Sequence, residues 1–203
     1  MDPVIVRVEV PVEISAPPSA VFTFVSDAEA KARLNPFVQV IRIERETPGP
    51  LREGSVTYFR LQKGKRIFEY RTRCRQFEAD RLLESQAELP TLFRVRVELE
   101  PIPGGTRLTQ REECELTLEM LEGLPVSRRA ERAWRTIKLI NMVLPGLGRE
   151  AYGIILLERA EALRTALRRE LWTWLQAVKQ HIEAGETGSA QRSAFSAQPR
   201  AER

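Results

Sequence analysis

Hydrophobic and polar residues alternate with a period of two at the start of the chain. Val4, Val6, Val8, Val10, Val12 and Ile14 fall on one face, and Ile5, Arg7, Glu9, Pro11 and Glu13 on the other, the pattern of a strand with one buried side. Pro11 marks it as an edge or a bend. The period then changes. Behind Pro17-Pro18, which suit a helix start, Ser19, Val21, Phe22 and Val25 recur at helical spacing. The stretch AEAKARLNP reads as a second short helix closed at Asn35-Pro36, because a residue before proline is pushed out of the α region. From Val38 to Leu118, turn signals at 48–54, 63–65, 78–80, Leu89-Pro90 and 102–105 divide the chain into six strands. The last two alternate most cleanly, with Phe93, Val95, Val97 and Leu99 facing one way and, after the glycine turn, Leu108, Gln110, Glu112, Cys114 and Leu116 sharing a face. An amphipathic helix is expected over 127–144. A longer helix is expected to about Glu183, with Leu156, Ala160, Leu163, Leu167, Leu171, Trp174, Val178 and Ile182 three or four apart. Residues 184–203 carry only Phe195 as a large apolar side chain and read as a disordered tail. Residues 1–183 thus form one domain.

Composition narrows the function. The chain has 203 residues, 42% of them hydrophobic and 30% charged, enough for one substantial core. A net charge of +4 is too slight for a nucleic-acid footprint, so no nucleic-acid partner is expected. His181, Cys74 and Cys114 lie far apart, without CxxC or HxxxH spacing, which excludes a zinc site and most nucleophile schemes that need an imidazole. Gly146, Gly148 and Gly153 follow a helix and match no phosphate-binding fingerprint. Neither metal nor cofactor is expected. The most apolar stretch, Ile137–Leu157, is broken by charges, Pro145 and glycines, and two cysteines forty residues apart make no disulfide framework. The expected location is the cytoplasm, with or without peripheral contact to a membrane.

The order of strand, two short helices, six-stranded meander and long helix, together with VEVPVEISAPPSAVFTFVSDAEAKARLNP, GPLREGSV and ELEPIPGGTRLT, resembles the helix-grip superfamily. That superfamily includes START lipid-transfer domains, birch-pollen-type allergens and the polyketide cyclase/dehydrase and lipid transport (SRPBCC) proteins. The likeness covers residues 4–118 and the last long helix. It implies an α+β fold in which a seven-stranded antiparallel sheet wraps a long C-terminal helix and encloses an apolar cavity. Leu34-Asn35 stands where many relatives carry a tryptophan, and segment 124–149 reads as an insertion before the terminal helix.

With the sheet concave toward that helix, Phe68, Tyr70, Thr72, Ser85, Phe93, Gln110, Glu112, Leu163 and Leu167 become the candidate lining of a site for a hydrophobic small molecule. A few polar groups among apolar walls are what such a pocket needs. Glu112 draws most attention, since a carboxylate in an apolar cavity must be paired, hydrated or neutral. It either orients a ligand, acts with Tyr70 on protons in a cyclase or dehydratase, or pairs with an arginine as a structural group. Segment 124–149 has six Lys/Arg and one Glu. There Arg128, Arg132, Arg135 and Lys138 oppose Trp134, Ile137 and Ile140, so this helix covers the cavity, lies on anionic lipid, or packs against the fold or a second subunit. The readings that stand are ligand binding or transport, polyketide cyclase/dehydratase chemistry, and a protein-interaction or stress-related module.

Overall fold

The structure, a computed structural model, describes residues 4–89, 92–116 and 147–196. Strand β1 (Val4–Ile14) leads into α1 (Pro18–Ser26) and α2 (Ala28–Arg33). Six strands follow, β2 (Gln39–Arg45), β3 (Val56–Lys63), β4 (Arg66–Glu78), β5 (Leu82–Ala87), β6 (Phe93–Ile102) and β7 (Gly105–Leu116), and then α3 (Leu147–Ser196). The sheet order is β1-β7-β6-β5-β4-β3-β2, with every neighbouring pair antiparallel. Strands β2 to β7 are a meander with the turns where the sequence places them. Only β1 joins from the far side, by pairing with β7 from Val4↔Leu116 to Ile14↔Thr106.

The core lies at that end. Val6, Val8, Val10, Val12 and Ile14 are each 5% exposed or less, and they pack with Leu108, Val97, Leu99 and with Val21, Phe22 and Val25 of α1. Helix α3 closes the face with Leu171, Leu175, Val178 and Ile182, spaced four, three and four residues apart as one helical stripe. At the β6–β7 turn, a Cβ on Gly105 would lie 2.1 Å from the Ile14 carbonyl oxygen, so only glycine lets the hairpin approach β1 this closely.

The opposite face of the sheet is an ion-pair lattice. Arg7 pairs with Glu113, and Arg111 with Glu9 and Glu98; Arg96 bridges Glu84 and Glu98, while Arg107 bridges Glu13 and Glu100. These residues alternate in sequence with the buried valines, so one period of two writes both faces.

One boundary differs from expectation. The last helix continues past Glu183 to Ser196, so residues 184–196 are helical and not a structureless tail. Extending a formed helix adds one hydrogen bond per residue fixed, and no proline interrupts before Pro199. His181, which the shorter helix would place in its last turn, is therefore mid-helix, with its ring 4.9 Å from that of Phe24. The predicted helix 127–144 lies outside the described residues. Leu175 is fully buried in the stripe that closes the core. Leu175→Ala should cost about 2–5 kcal/mol, read as a lower urea midpoint with an unchanged m-value.

Candidate functional site

Among the described residues the concave face is sealed at one end and half-buried at the other. Under β1, α1 and the Thr106–Gln110 part of β7 the inward side chains are sealed, whereas Phe59, Tyr70, Thr72, Ser85, Phe93 and Val95 point inward from β3 to β6 and, like Glu112 and Cys114 of β7, remain only half-buried. Leu163 and Leu167 of α3 are likewise half-buried against the core. Phe59 and Tyr70 stack with ring centroids 5.2 Å apart, and Phe93 meets Tyr70 edge-on at 6.2 Å, which makes an aromatic wall across β3, β4 and β6. Phe68 shares that face but is 45% exposed, at the outer end of β4.

A chain of polar contacts marks the boundary between the sealed and the half-buried parts. Gln110 on β7 lies between Val10 and Val97 and is fully buried, and Glu112 follows between Val8 and Val95. Lys31 of α2, only 7% exposed, donates from Nζ to Gln110 Oε1 at 2.6 Å, and Gln110 Nε2 donates to Glu112 Oε1 at 2.7 Å. Trp174 of α3 supports the lysine twice. Its indole N–H donates to the Lys31 carbonyl at 2.9 Å, and its ring lies 5.1 Å from Lys31 Nζ. Asp27 caps α2 by accepting from the amides of Glu29 and Ala30, which fixes the short helix that aims Lys31 inward. At the rim, Lys63 of β3 pairs with Glu170 of α3 at 2.5 Å.

Burial sets the charges. It lowers Lys31 to about pH 8, with Glu112 acting in the opposite direction. Burial also raises the Glu112 carboxyl, against the pull of Gln110 and Lys31, and raises Tyr70 to about 12, with the Glu112 charge adding to the effect. Lys31, Gln110 and Glu112 therefore form a buried relay in which the amide separates amine from carboxyl. Tyr70 is a phenol that keeps its proton through the neutral range.

Gln110, Glu112, Tyr70, Phe93, Thr72 and Ser85 share the inward face of the sheet, Leu163 and Leu167 lie half-buried on α3, and Phe68 sits at the sheet's edge. Sequence reasoning missed Lys31, Phe59 and Trp174. The signal for Lys31 was present: with Ala28 turned inward, a spacing of three and four puts Lys31 and Ala32 on the same side. Two hollows, of about 710 and 330 Å³, lie elsewhere, where α3 passes the β1 edge, lined by residues such as Pro11, Arg164, Arg168 and, in the larger, Trp172. Arg128, Arg132, Trp134, Arg135 and Lys138 lie outside the described residues. Among the described residues no cluster of His, Cys, Asp or Glu could hold a metal, both cysteines are free, and no helix is long and apolar enough to cross a membrane.

The lysine gives a pH dependence. Its folded value of about 8 lies below its ordinary 10.5, so between these the unfolded chain holds a proton that the folded chain has lost. The desolvation cost, about 3 kcal/mol, is full below pH 8 and falls as pH rises. Wild-type stability should therefore gain from this group between pH 8 and 10, and Lys31→Met should flatten that gain in urea titrations at the two pH values.

Comparison with known proteins agrees with this architecture. The di-domain ARO/CYC StfQ from the steffimycin biosynthetic pathway superposes with a TM-score of 0.63 at 14% identity, covering 91% of this chain and 52% of that one. The Zhui aromatase/cyclase from Streptomyces sp. R1128 gives 0.58 at 15% identity, covering 89% and 94%. A Polyketide_cyc-like protein from Corynebacterium glutamicum gives 0.52 at 20% identity, covering 91% and 95%. At these identities the likeness establishes the helix-grip fold alone. The curated proteins contain no match. The family model for polyketide cyclase/dehydrase and lipid transport matches residues 6–138, well over half of the chain. A match over that share of the chain shows that the protein belongs to the polyketide cyclase/dehydrase and lipid transport family.

Proposed function

We propose that the protein binds or carries a hydrophobic small molecule, lipid- or polyketide-like, in the hollow between the open half of the sheet and α3. The observation that supports this reading is the half-buried aromatic wall of Phe59, Tyr70 and Phe93 on the concave face, with Leu163 and Leu167 half-buried on the helix that packs on that face and one polar chain beside them. Apolar walls supply affinity by area, and a few fixed polar groups orient the guest. Glu112 Oε1 is engaged by Gln110. The second carboxylate oxygen would accept from a ligand hydroxyl, and the Tyr70 phenol is a donor on the same wall. The family supports a ligand of this class.

The alternative is an enzyme, a cyclase or dehydratase acting on the same guest. It is supported by the family description and by Glu112 and Tyr70 being close enough for the carboxylate charge to raise the phenol. In that reading a carboxyl that is raised by burial moves the proton and the phenol holds the developing oxyanion. A protein-interaction or stress-related module stays as a third reading, and a filled-in hollow would favour it.

Segment 127–144 completes the proposal as a cover to the hollow that touches anionic lipid from the cytoplasmic side through Arg128, Arg132, Trp134, Arg135 and Lys138, or that pairs two copies of the chain. Each Lys/Arg near an anionic surface contributes about 1 kcal/mol. Salt-sensitive co-sedimentation with anionic vesicles should vanish when Arg128, Arg132, Arg135 and Lys138 are changed to Ser, and equal sedimentation of both proteins would refute the contact.

Uptake of the neutral probe N-phenyl-1-naphthylamine tests the site. Leu163→Trp should fill the hollow and weaken probe binding by about tenfold or more, a loss of at least about 1.4 kcal/mol, with an unchanged far-UV spectrum. Wild-type affinity in a folded Leu163→Trp protein would refute the placement.

A further inference from the structure

We propose that Lys31 is a nucleophilic amine that captures an aldehyde or ketone as a Schiff base at the inner end of the hollow. This rests on the reading of the hollow as an apolar binding site and adds the chemical class of the guest.

The chain fixes positive charge with arginine. It has 27 arginines and five lysines, and arginine stays protonated at any working pH whereas a buried lysine can lose its proton. Lys63 pairs with Glu170 at the rim, Lys179 reaches Glu183 and the Glu13 carbonyl, and Lys65 is exposed. Lys31 is the buried lysine among the described residues, and it has no direct carboxylate partner: its hydrogen bond goes to a neutral amide oxygen at 2.6 Å. Gln110 keeps Glu112 one side chain away, so the amine is not locked as an ammonium in an ion pair, yet a carboxyl is within reach of whatever the amine binds. Burial favours the free amine, consistent with its lowering to about 8.

The chemistry balances without a further reactant. The Nζ lone pair forms the C–N bond as the carbonyl π bond breaks. The oxygen takes a proton from the Glu112 carboxyl, and the resulting carboxylate removes one from nitrogen. Re-protonation of the hydroxyl by the same carboxyl releases one water as the C=N bond forms. The charged groups facing this position are Glu112 on β7 and, at the rim beyond it, Lys63 on β3 and Glu170 on α3.

The test exposes the full-length protein to 2-naphthaldehyde and sodium cyanoborohydride, which turns an imine into a stable secondary amine, and maps the adduct by peptide mass. N-phenyl-1-naphthylamine uptake is measured in parallel. At pH 7 an amine of about 8 has roughly 300 times the free base of one at 10.5. Lys31 should therefore carry roughly tenfold or more label than Lys63, Lys65 or Lys179, with labelling that rises through about pH 8. Glu112→Gln should slow the adduct without moving it, and Lys31→Met should remove it. Probe uptake with label absent from Lys31, or spread evenly over the lysines, would overturn the capture while leaving the binding reading intact. Neither uptake nor label would overturn both. The wild-type peptide map decides the matter even if a variant does not fold.

Discussion

Everything in this molecule depends on burying one face of β1 beneath the terminal helix. A single antiparallel sheet has two faces and, among the described residues, one long helix to cover them. The valines at every second position of β1 meet Leu171, Leu175, Val178 and Ile182, with α1 wedged alongside. This contact ties the first strand to the last helix across the whole chain. It also fixes where the helix stops covering the sheet. Beyond β7 and β6 the described part of the helix gives the concave face less cover, and the aromatic residues of β3 and β4 are only half-buried there.

The polar relay at that boundary is held by the same constraint. Lys31 stays buried because α2 is capped by Asp27 on one side and leans on Trp174 of α3 on the other. Gln110 answers it from a strand position that valines enclose on both neighbours. A buried amine and a buried carboxyl both cost stability at neutral pH, since each is pushed toward its neutral form. A fold that retains both, linked through an amide, gives up stability at a place where chemistry or recognition would use it. The convex face shows the contrasting arrangement, in which arginine and glutamate pair across strands in water and each pair adds little.

The fold was legible because its pattern is local. A period of two with inserted turns specifies strands and faces wherever one side is buried, since a slip of one residue would turn every valine outward. The assignment of Gln110, Glu112, Tyr70 and Phe93 to a common face followed from parity alone. The end of α3 was not legible, because hydrophobic periodicity reports burial and the helix runs on past Glu183 where that signal ends.

By itself the sequence determined the number of strands, their turns, the inward parity of each and the absence of metal-ligand spacing among its few histidine and cysteine residues. Only the tertiary structure decided which inward residues are sealed and which stay half-buried, for that depends on where α3 crosses the sheet. It alone brought Lys31 to Gln110 across 79 positions of sequence, and Trp174 to Lys31 across 143. Parity along a strand is a property of neighbours in the chain. The meeting of α2, β7 and α3 is a property of packing, which no local period encodes.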